Sequence, residues 1–338
     1  MKMKTGVLLI NLGTPDSPSV KDVRKYLFEF LNDPRVIDIP ATLRFLLVNL
    51  IIVPFRAPQS AKIYRELWTE NGSPILKYGK SVKEKLQLAL GDNYEVELAM
   101  RYQNPSMDDV LVKMRMKNYK QIIIIPLFPQ YASATTGSVI DKAMKIIRKW
   151  WVIPEVKFIN QFYDNEGYIN TIAEQARKYN PDEFDHILFS YHGLPLRQVD
   201  KVYADGTKCD EHKCETEINE KNRFCYKATC YATTRLIAAR LNIPEEKYTV
   251  CFQSRLDKKW LEPFSDKVII ELAKKGAKKL LVFSPAFVAD CLETIIEIGK
   301  EYQQLFEKHG GEKIQLVESL NDHPMWINTL KEVVLQNE

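Results

Sequence analysis

The chain has 338 residues, 45% hydrophobic and 27% charged, which is enough for a sizeable core and long enough for two domains. Its net charge of +4 comes from interspersed charges of both signs, which excludes the basic face or stripe of a nucleic-acid-binding protein. Met1-Lys-Met-Lys4 leads straight into Val7-Leu-Leu-Ile10, too short for the apolar core of a secretory leader, and no apolar run looks long enough to span a bilayer. A cytoplasmic chain with reduced cysteines is therefore expected.

Short β-rich apolar runs lie near residues 7–12, 95–100, 121–126 and 156–159, then 186–190, 248–253, 279–284 and 314–318. Longer amphipathic stretches separate them. This alternation predicts βαβ units and two parallel sheets of four strands each. The halves also look alike. Asp164-Asn-Glu-Gly-Tyr-Ile-Asn-Thr-Ile172 matches Asn321-Asp-His-Pro-Met-Trp-Ile-Asn-Thr-Leu330, with a one-residue slip at the start. Ile169 to Ile327 and Ile122 to Leu280 share an offset of 158. Two similar α/β lobes with a cleft between them are expected. The expected division is 1–162, 163–324, and a closing helix 325–338 that packs back on the first lobe.

Two segments break this rhythm. Residues 41–56 form a very apolar stretch bracketed by Arg44 and Arg56, read either as a buried helix or as an apolar lip able to touch a membrane. Residues 201–229 are polar and lack periodicity, and a loop of that length usually carries a function or its own staple. Cys209, Cys214, Cys225 and Cys230 lie in or just after it, with spacings of four, ten and four residues. Four thiols this close in a reduced compartment point to a metal rather than to disulfides, and spacing leaves zinc and iron–sulfur open. Cys251, in a strand, reads as a small buried apolar residue.

His192 ends the apolar run Ile187-Leu-Phe-Ser-Tyr-His192, where Gly193 and Pro195 stop the strand. Leu280-Leu-Val-Phe-Ser284 ends in the same way and leads to Glu293. Ligands of open parallel sheets bind beyond the carboxyl ends of the strands, so this imidazole and this carboxylate stand where such a sheet does chemistry. Glu293, Glu297 and Glu301 recur at i, i+4, i+8, which stacks them on one face of a helix. That row is either a solvated face or a path for cations and protons. No dinucleotide or P-loop glycine motif is present. The strand-end loops instead hold aromatics and hydroxyls, which suits a flat apolar ligand bearing a few carboxylates.

The chain resembles the ferrochelatase family from Val7 to about Val333. The motifs are Asn11-Leu-Gly-Thr-Pro15, Gly72-Ser-Pro74, Arg101-Tyr102, Pro129-Gln-Tyr-Ala-Ser-Ala-Thr-Thr-Gly137, Phe189-Ser-Tyr-His-Gly-Leu-Pro195, Phe252-Gln-Ser254, Trp260-Leu261 with Pro263, Asp290-Cys-Leu-Glu293 and Ser319-Leu-Asn321. The resemblance implies the class II chelatase fold: two Rossmann-like lobes, each a four-stranded parallel sheet flanked by helices. It implies insertion of ferrous iron into protoporphyrin IX to form haem. The rivals are coproporphyrin III or another tetrapyrrole or metal, and a porphyrin carrier that is not an enzyme.

By the same resemblance His192 and Glu293 are the catalytic pair, which meets the substrate iron. Glu297 and Glu301 fall on the acidic row. Arg56, Tyr64, Ser73 and Ser254 match positions that hold the porphyrin propionates. Leu12, Arg101, Tyr102, Tyr131 and Trp260 match positions that line the pocket. Many relatives have histidine where this chain has Cys291, so a second imidazole in the metal path is absent. Some bacterial relatives carry four cysteines in an internal segment, which assigns Cys209, Cys214, Cys225 and Cys230 to a 2Fe-2S cluster. The expected location is the cytoplasm, with 41–56 as the surface for any contact with the inner face of the membrane.

Overall fold

The computed structural model describes residues 3–338; Met1 and Lys2, which open the segment expected to be too short for a leader, lie outside them. Eight strands form from the β-branched and leucine-rich runs: β1 Thr5–Gly13, β2 Tyr94–Tyr102, β3 Gln121–Pro126, β4 Glu155–Phe158, β5 His186–His192, β6 Tyr248–Gln253, β7 Lys279–Phe283 and β8 Lys313–Leu316. All pairings are parallel, in the orders β2-β1-β3-β4 and β6-β5-β7-β8. The two sheets thus have one topology, as the matching halves of the sequence predict.

The central strands read as unbroken apolar runs because helices cover both of their faces. Leu8, Ile10, Ile122 and Ile124 pack against Val110, Leu111, Val139 and Ile147 in one core. Leu188, Leu280 and Val282 pack against Ile269, Ile298 and Phe306 in the other. Each such side chain contributes roughly 1.5–3 kcal/mol by leaving water.

The chain divides into two compact units, 1–128 with 133–161 and 324–338, and 129–132 with 162–323. In the first unit helix Pro324–Gln336 packs on helix Pro74–Leu90; in the second, helix Glu166–Arg177 packs on helix Tyr226–Leu241. The pairs Gln121/Lys279, Glu155/Lys313 and Glu166/Pro324 each open equivalent elements 158 residues apart. Units and repeats are therefore out of phase by one helix, since the helix that closes each repeat belongs to the other unit.

One expectation needs correction. Residues 41–67 form a continuous 27-residue helix, long and apolar enough by length and composition alone to cross a membrane, and its most apolar window is only 17% buried. The expected run ended at Arg56, but the helix, π-wound over Leu47–Ile52, continues as Val53–Leu67 past Arg56 and through Pro58. Leu43, Phe45, Leu46, Leu50, Ile51 and Phe55 are exposed, so this is not the buried helix that was one of the two readings.

Candidate active site

His192 is the last residue of β5 and is half-buried. Its Nδ1 lies 2.7 Å from the Gly193 carbonyl oxygen. A carbonyl only accepts, so Nδ1 carries the proton, and in the neutral ring Nε2 is the basic nitrogen. The ring of Trp260 stands beside it, 6.4 Å between centroids. Gly193 donates its N–H to the Gln253 carbonyl at 2.8 Å. A β-carbon at 193 would lie 2.9 Å from that oxygen and 3.3 Å from the Trp260 ring, so only glycine lets the end of β5 run this close to β6.

Facing this turn is helix Glu293–Tyr302, which is wound as a π-helix rather than the α-helix that the spacing predicts. Its i→i+5 bonding brings residue 302 under residue 297, and Tyr302 donates to Glu297 at 3.1 Å. Ser254 donates both its N–H, at 2.9 Å, and its hydroxyl to the same carboxylate. The Gln253 amide adds a contact at 3.3 Å, and is itself held by the Ser190 hydroxyl at 2.7 Å, which pairs with Ser265. Burial raises the pKa of Glu297. The Ser254 hydrogen bond and the charge of His192 oppose this, the charge of Glu293 adds to it, and the net shift is upward. Sequence reasoning paired His192 with Glu293. The structure places Glu297 as well in the electrostatic reach of both.

Glu293 is half-buried and Glu301 exposed, so the acidic row leads from the interior to solvent. Cys291 is buried. Burial pushes its thiol well up, the Glu293 carboxylate adds to that, and the thiol stays protonated and hydrogen-bonded to Glu293. Asp290 and Asn321 fix the start of this helix reciprocally. The Asp290 N–H donates to Asn321 Oδ1 at 2.9 Å, and Asn321 Nδ2 donates to Asp290 at 2.7 Å.

In the first unit, Gly13 at the end of β1 adopts φ +116°, and a β-carbon there would lie 2.0 Å from the Tyr102 carbonyl oxygen. This requirement accounts for the glycine after Leu12, which is half-buried at the strand end. Arg101 and Tyr102, at the end of β2, converge on buried Asp33. The guanidinium is 2.5 Å from Oδ2, the Tyr102 hydroxyl 2.9 Å and the Ser138 hydroxyl 2.5 Å. Burial pushes the Asp33 pKa up. The hydrogen bonds from Ser138 and the Arg35 N–H, with the charge of Arg101, outweigh it and hold the carboxyl below its usual range.

Of the remaining expected ligand contacts, Arg56 is exposed, while Tyr131, Ser254 and Trp260 are half-buried. Tyr64, Ser73 and Tyr102 are buried. Thr14 donates to the Ser73 hydroxyl at 3.0 Å, and the Tyr131 ring meets Phe224 edge-on at 5.7 Å.

Among the cysteines, the sulfurs of Cys209, Cys214 and Cys225 lie within 4.8 Å of one another, and all three are buried. Cys209–Cys225 and Cys214–Cys225 are 3.5 and 3.7 Å apart. Two thiolates on one tetrahedral metal at about 2.3 Å stand roughly 3.8 Å apart, so the donor set fits a shared metal. Hydrogen bonds from Cys209 first, then Cys214, pull the Cys225 thiol down to about 3, the ionised form that binds metals. Cys230 departs from the four-sulfur expectation. It is buried further along helix Tyr226–Leu241, hydrogen-bonded to Tyr226, and is not in the cluster. Cys251 is buried, as a small apolar residue should be.

Asp33, Gln253, Asp290, Asn321 and Tyr302 carry the supporting hydrogen bonds, and reading the residues alone assigned none of them a role. Gln253, Asp290 and Asn321 did appear within the family motifs. A positive φ at Asn321 and Ser254 marks both turns in the fold but leaves no signature in a single sequence.

A family model described as Ferrochelatase matches residues 4–338. The Ferrochelatase of Coxiella burnetii (strain Dugway) is 45% identical over 332 residues, covering 97% of this chain and 92% of that protein. The Ferrochelatase of Legionella pneumophila (strain Lens) is 45% identical over 333 residues, 98% of this chain and 99% of that one. Among solved structures, SirB from Bacillus subtilis with Fe3+ superposes with a TM-score of 0.57 at 12% identity, over 99% of this chain and 95% of that one. The sirohydrochlorin chelatase SirB of Bacillus subtilis subspecies spizizenii, in complex with cobalt, gives 0.55 at 10% identity, over the same shares. Similarity at that identity shows the fold, a class II chelatase.

Proposed function

Since the chain belongs to the ferrochelatase family, an enzyme family that inserts a metal into a porphyrin, we propose that its substrates are ferrous iron and protoporphyrin IX. The product is protohaem, the end of haem biosynthesis, and two protons are released. The observation that carries this reading is the bond from His192 Nδ1 to the Gly193 carbonyl, which leaves Nε2 as a base at the strand end.

Iron replaces two pyrrole protons, so the reaction needs a base and an exit for protons. His192 Nε2 accepts them. Glu297, whose burial raises its proton affinity, takes them on, and exposed Glu301 passes them to water. Glu293 shares the load with His192 and meets the iron. A flat macrocycle hides its nitrogens, and ruffling it costs roughly 1–5 kcal/mol, offset by binding elsewhere on the ring. Leu12, Tyr131 and Trp260, with Arg101 and Tyr102, are proposed to line the pocket for that purpose. Among the proposed propionate contacts, Arg56 presents an exposed guanidinium, Ser254 is half-buried, and Tyr64 and Ser73 are buried.

Cys209, Cys214, Cys225 and Cys230 are proposed to hold a 2Fe-2S cluster, with Cys230 leaving Tyr226 to supply the fourth sulfur. Such a cluster would cross-link the 201–229 segment; insertion itself needs no electron from it. The exposed apolar side chains of 41–56 are proposed to touch the inner face of the membrane. Phe55→Asp would then reduce flotation with anionic vesicles, and equal flotation would remove that contact. Turnover on protoporphyrin IX and on coproporphyrin III, with ferrous iron under anaerobic conditions, tests the substrate. Faster haem formation from protoporphyrin IX is expected; a preference for coproporphyrin III would reassign it.

A further inference from the structure

Two tyrosine hydroxyls rest on sulfurs of the cysteine segment. Tyr226 bonds to Cys230, and the Tyr203 hydroxyl lies 3.0 Å from Cys214 Sγ. Tyr203 is buried, so its hydroxyl has little water to turn to. Its ring lies flat on the His212 imidazole, centroids 3.9 Å apart and planes 4° from parallel.

That imidazole is itself fixed. The Thr207 hydroxyl donates to Asp205, a carboxylate that only accepts, so its oxygen accepts from His212 Nε2 at 2.6 Å. Asn222 donates to the His212 carbonyl at 3.4 Å, and its amide nitrogen stands 3.9 Å from Cys214 Sγ. Asp205, Thr207 and His212 thus hold the phenol in one orientation. A sulfur bound to a metal carries no proton, so in the metal-bound state the Tyr203 O–H is the donor and Cys214 the acceptor.

We propose that Tyr203 is a positioning residue for the metal centre of the cysteine segment, donating a hydrogen bond to the Cys214 sulfur and raising the reduction potential of the centre. The inference rests on the reading that these cysteines hold an iron–sulfur cluster. A donor at a ligand sulfur favours the state with the extra negative charge, which is the reduced one, and hydrogen bonds to sulfurs are among the determinants of cluster potential. Nothing in metal insertion uses this hydroxyl, so haem formation does not depend on it directly.

The test uses the full chain, purified anaerobically, as wild type, as Tyr203→Phe, and with 3-fluorotyrosine placed at 203. Phenylalanine keeps the stack on His212 and removes only the O–H; the fluorinated phenol is more acidic and donates more strongly. Iron and sulfide content should be equal in all three. In a redox titration followed by visible and electron paramagnetic resonance spectra, Tyr203→Phe should reduce at a lower potential than wild type and the fluorinated protein at a higher one. Coincident potentials would overturn the proposal, as would a folded Tyr203→Phe protein that takes up no iron. Wild type lacking iron and sulfide even after reconstitution would instead remove the cluster reading beneath it.

Discussion

Ser254 gives both of its donors, the backbone N–H at 2.9 Å and the hydroxyl, to one carboxylate, that of Glu297. It does so from a left-handed backbone conformation, φ 60°, at the carboxyl end of β6. A half-buried carboxylate that receives this many donors yet keeps a raised pKa can hold a proton or pass it on. That property links the geometry of the turn to the chemistry proposed for the site.

Glu297→Gln keeps the size of the side chain and removes its proton exchange. The rate of metal insertion should fall by about 10²–10⁴, with porphyrin affinity retained. Stability should change in a pH-dependent way. A carboxyl whose folded pKa lies above its unfolded value, about 4.3, contributes stability that is present below that value and lost as pH rises through the folded one. The thermal midpoint of the variant should therefore gain on wild type as pH rises from about 4 to 8. A difference flat in pH would contradict the assignment.

Asp33 has the opposite sign. Its folded pKa lies below the unfolded value of about 3.9, so its contribution is present above that value and lost as pH falls through the folded one. Asp33→Asn also leaves the Arg101 guanidinium without its partner in a buried site. The expected loss near pH 7 is about 3–5 kcal/mol, shrinking toward pH 3. Denaturant unfolding at both pH values checks this, and an equal loss at both would refute it.

Gly193→Ala places a β-carbon 2.9 Å from a backbone oxygen, which cannot rotate away. The clash should cost about 1–3 kcal/mol. It should also slow insertion, because the Gly193 carbonyl anchors His192 Nδ1. An alanine variant with wild-type stability and turnover would show that the close approach does not matter.

Much of this fold is legible in the sequence. The eight strands form where the apolar runs predicted them, with ends displaced by no more than two residues, most plainly at the central β1, β3, β5 and β7, whose burial on both faces demands near-continuous apolar runs. The placement of His192 at the end of β5 is legible because Gly193 and Pro195 stop the apolar run there, and the acidic row because its spacing puts Glu293, Glu297 and Glu301 along one helical segment. The π-winding of Glu293–Tyr302 is not legible, since its apolar residues fit an α-helix equally well. Asp33 escapes notice because its partners, Arg101, Tyr102 and Ser138, lie far along the chain and only tertiary structure brings them together. The grouping of Cys209, Cys214 and Cys225 is legible from their spacing, but the turn of Cys230 toward Tyr226 is not.

Serine in place of Cys209, Cys214, Cys225 or Cys230 should each abolish iron and sulfide binding and bleach any visible absorption of the purified protein. The first three already form a common donor set. Retained absorption after Cys230→Ser would limit the site to three sulfurs from this chain, and a colourless wild type that binds zinc would replace the cluster with a structural metal.

The most direct test of the central claim is His192→Ala, assayed anaerobically with ferrous iron and protoporphyrin IX alongside a porphyrin-binding titration. The predicted result is haem formation reduced by about 10²–10⁴ or more with porphyrin affinity essentially unchanged. Haem formation at the wild-type rate by His192→Ala would contradict the role of this imidazole as the base, and tight porphyrin binding with no haem formed by wild type would favour a carrier over an enzyme.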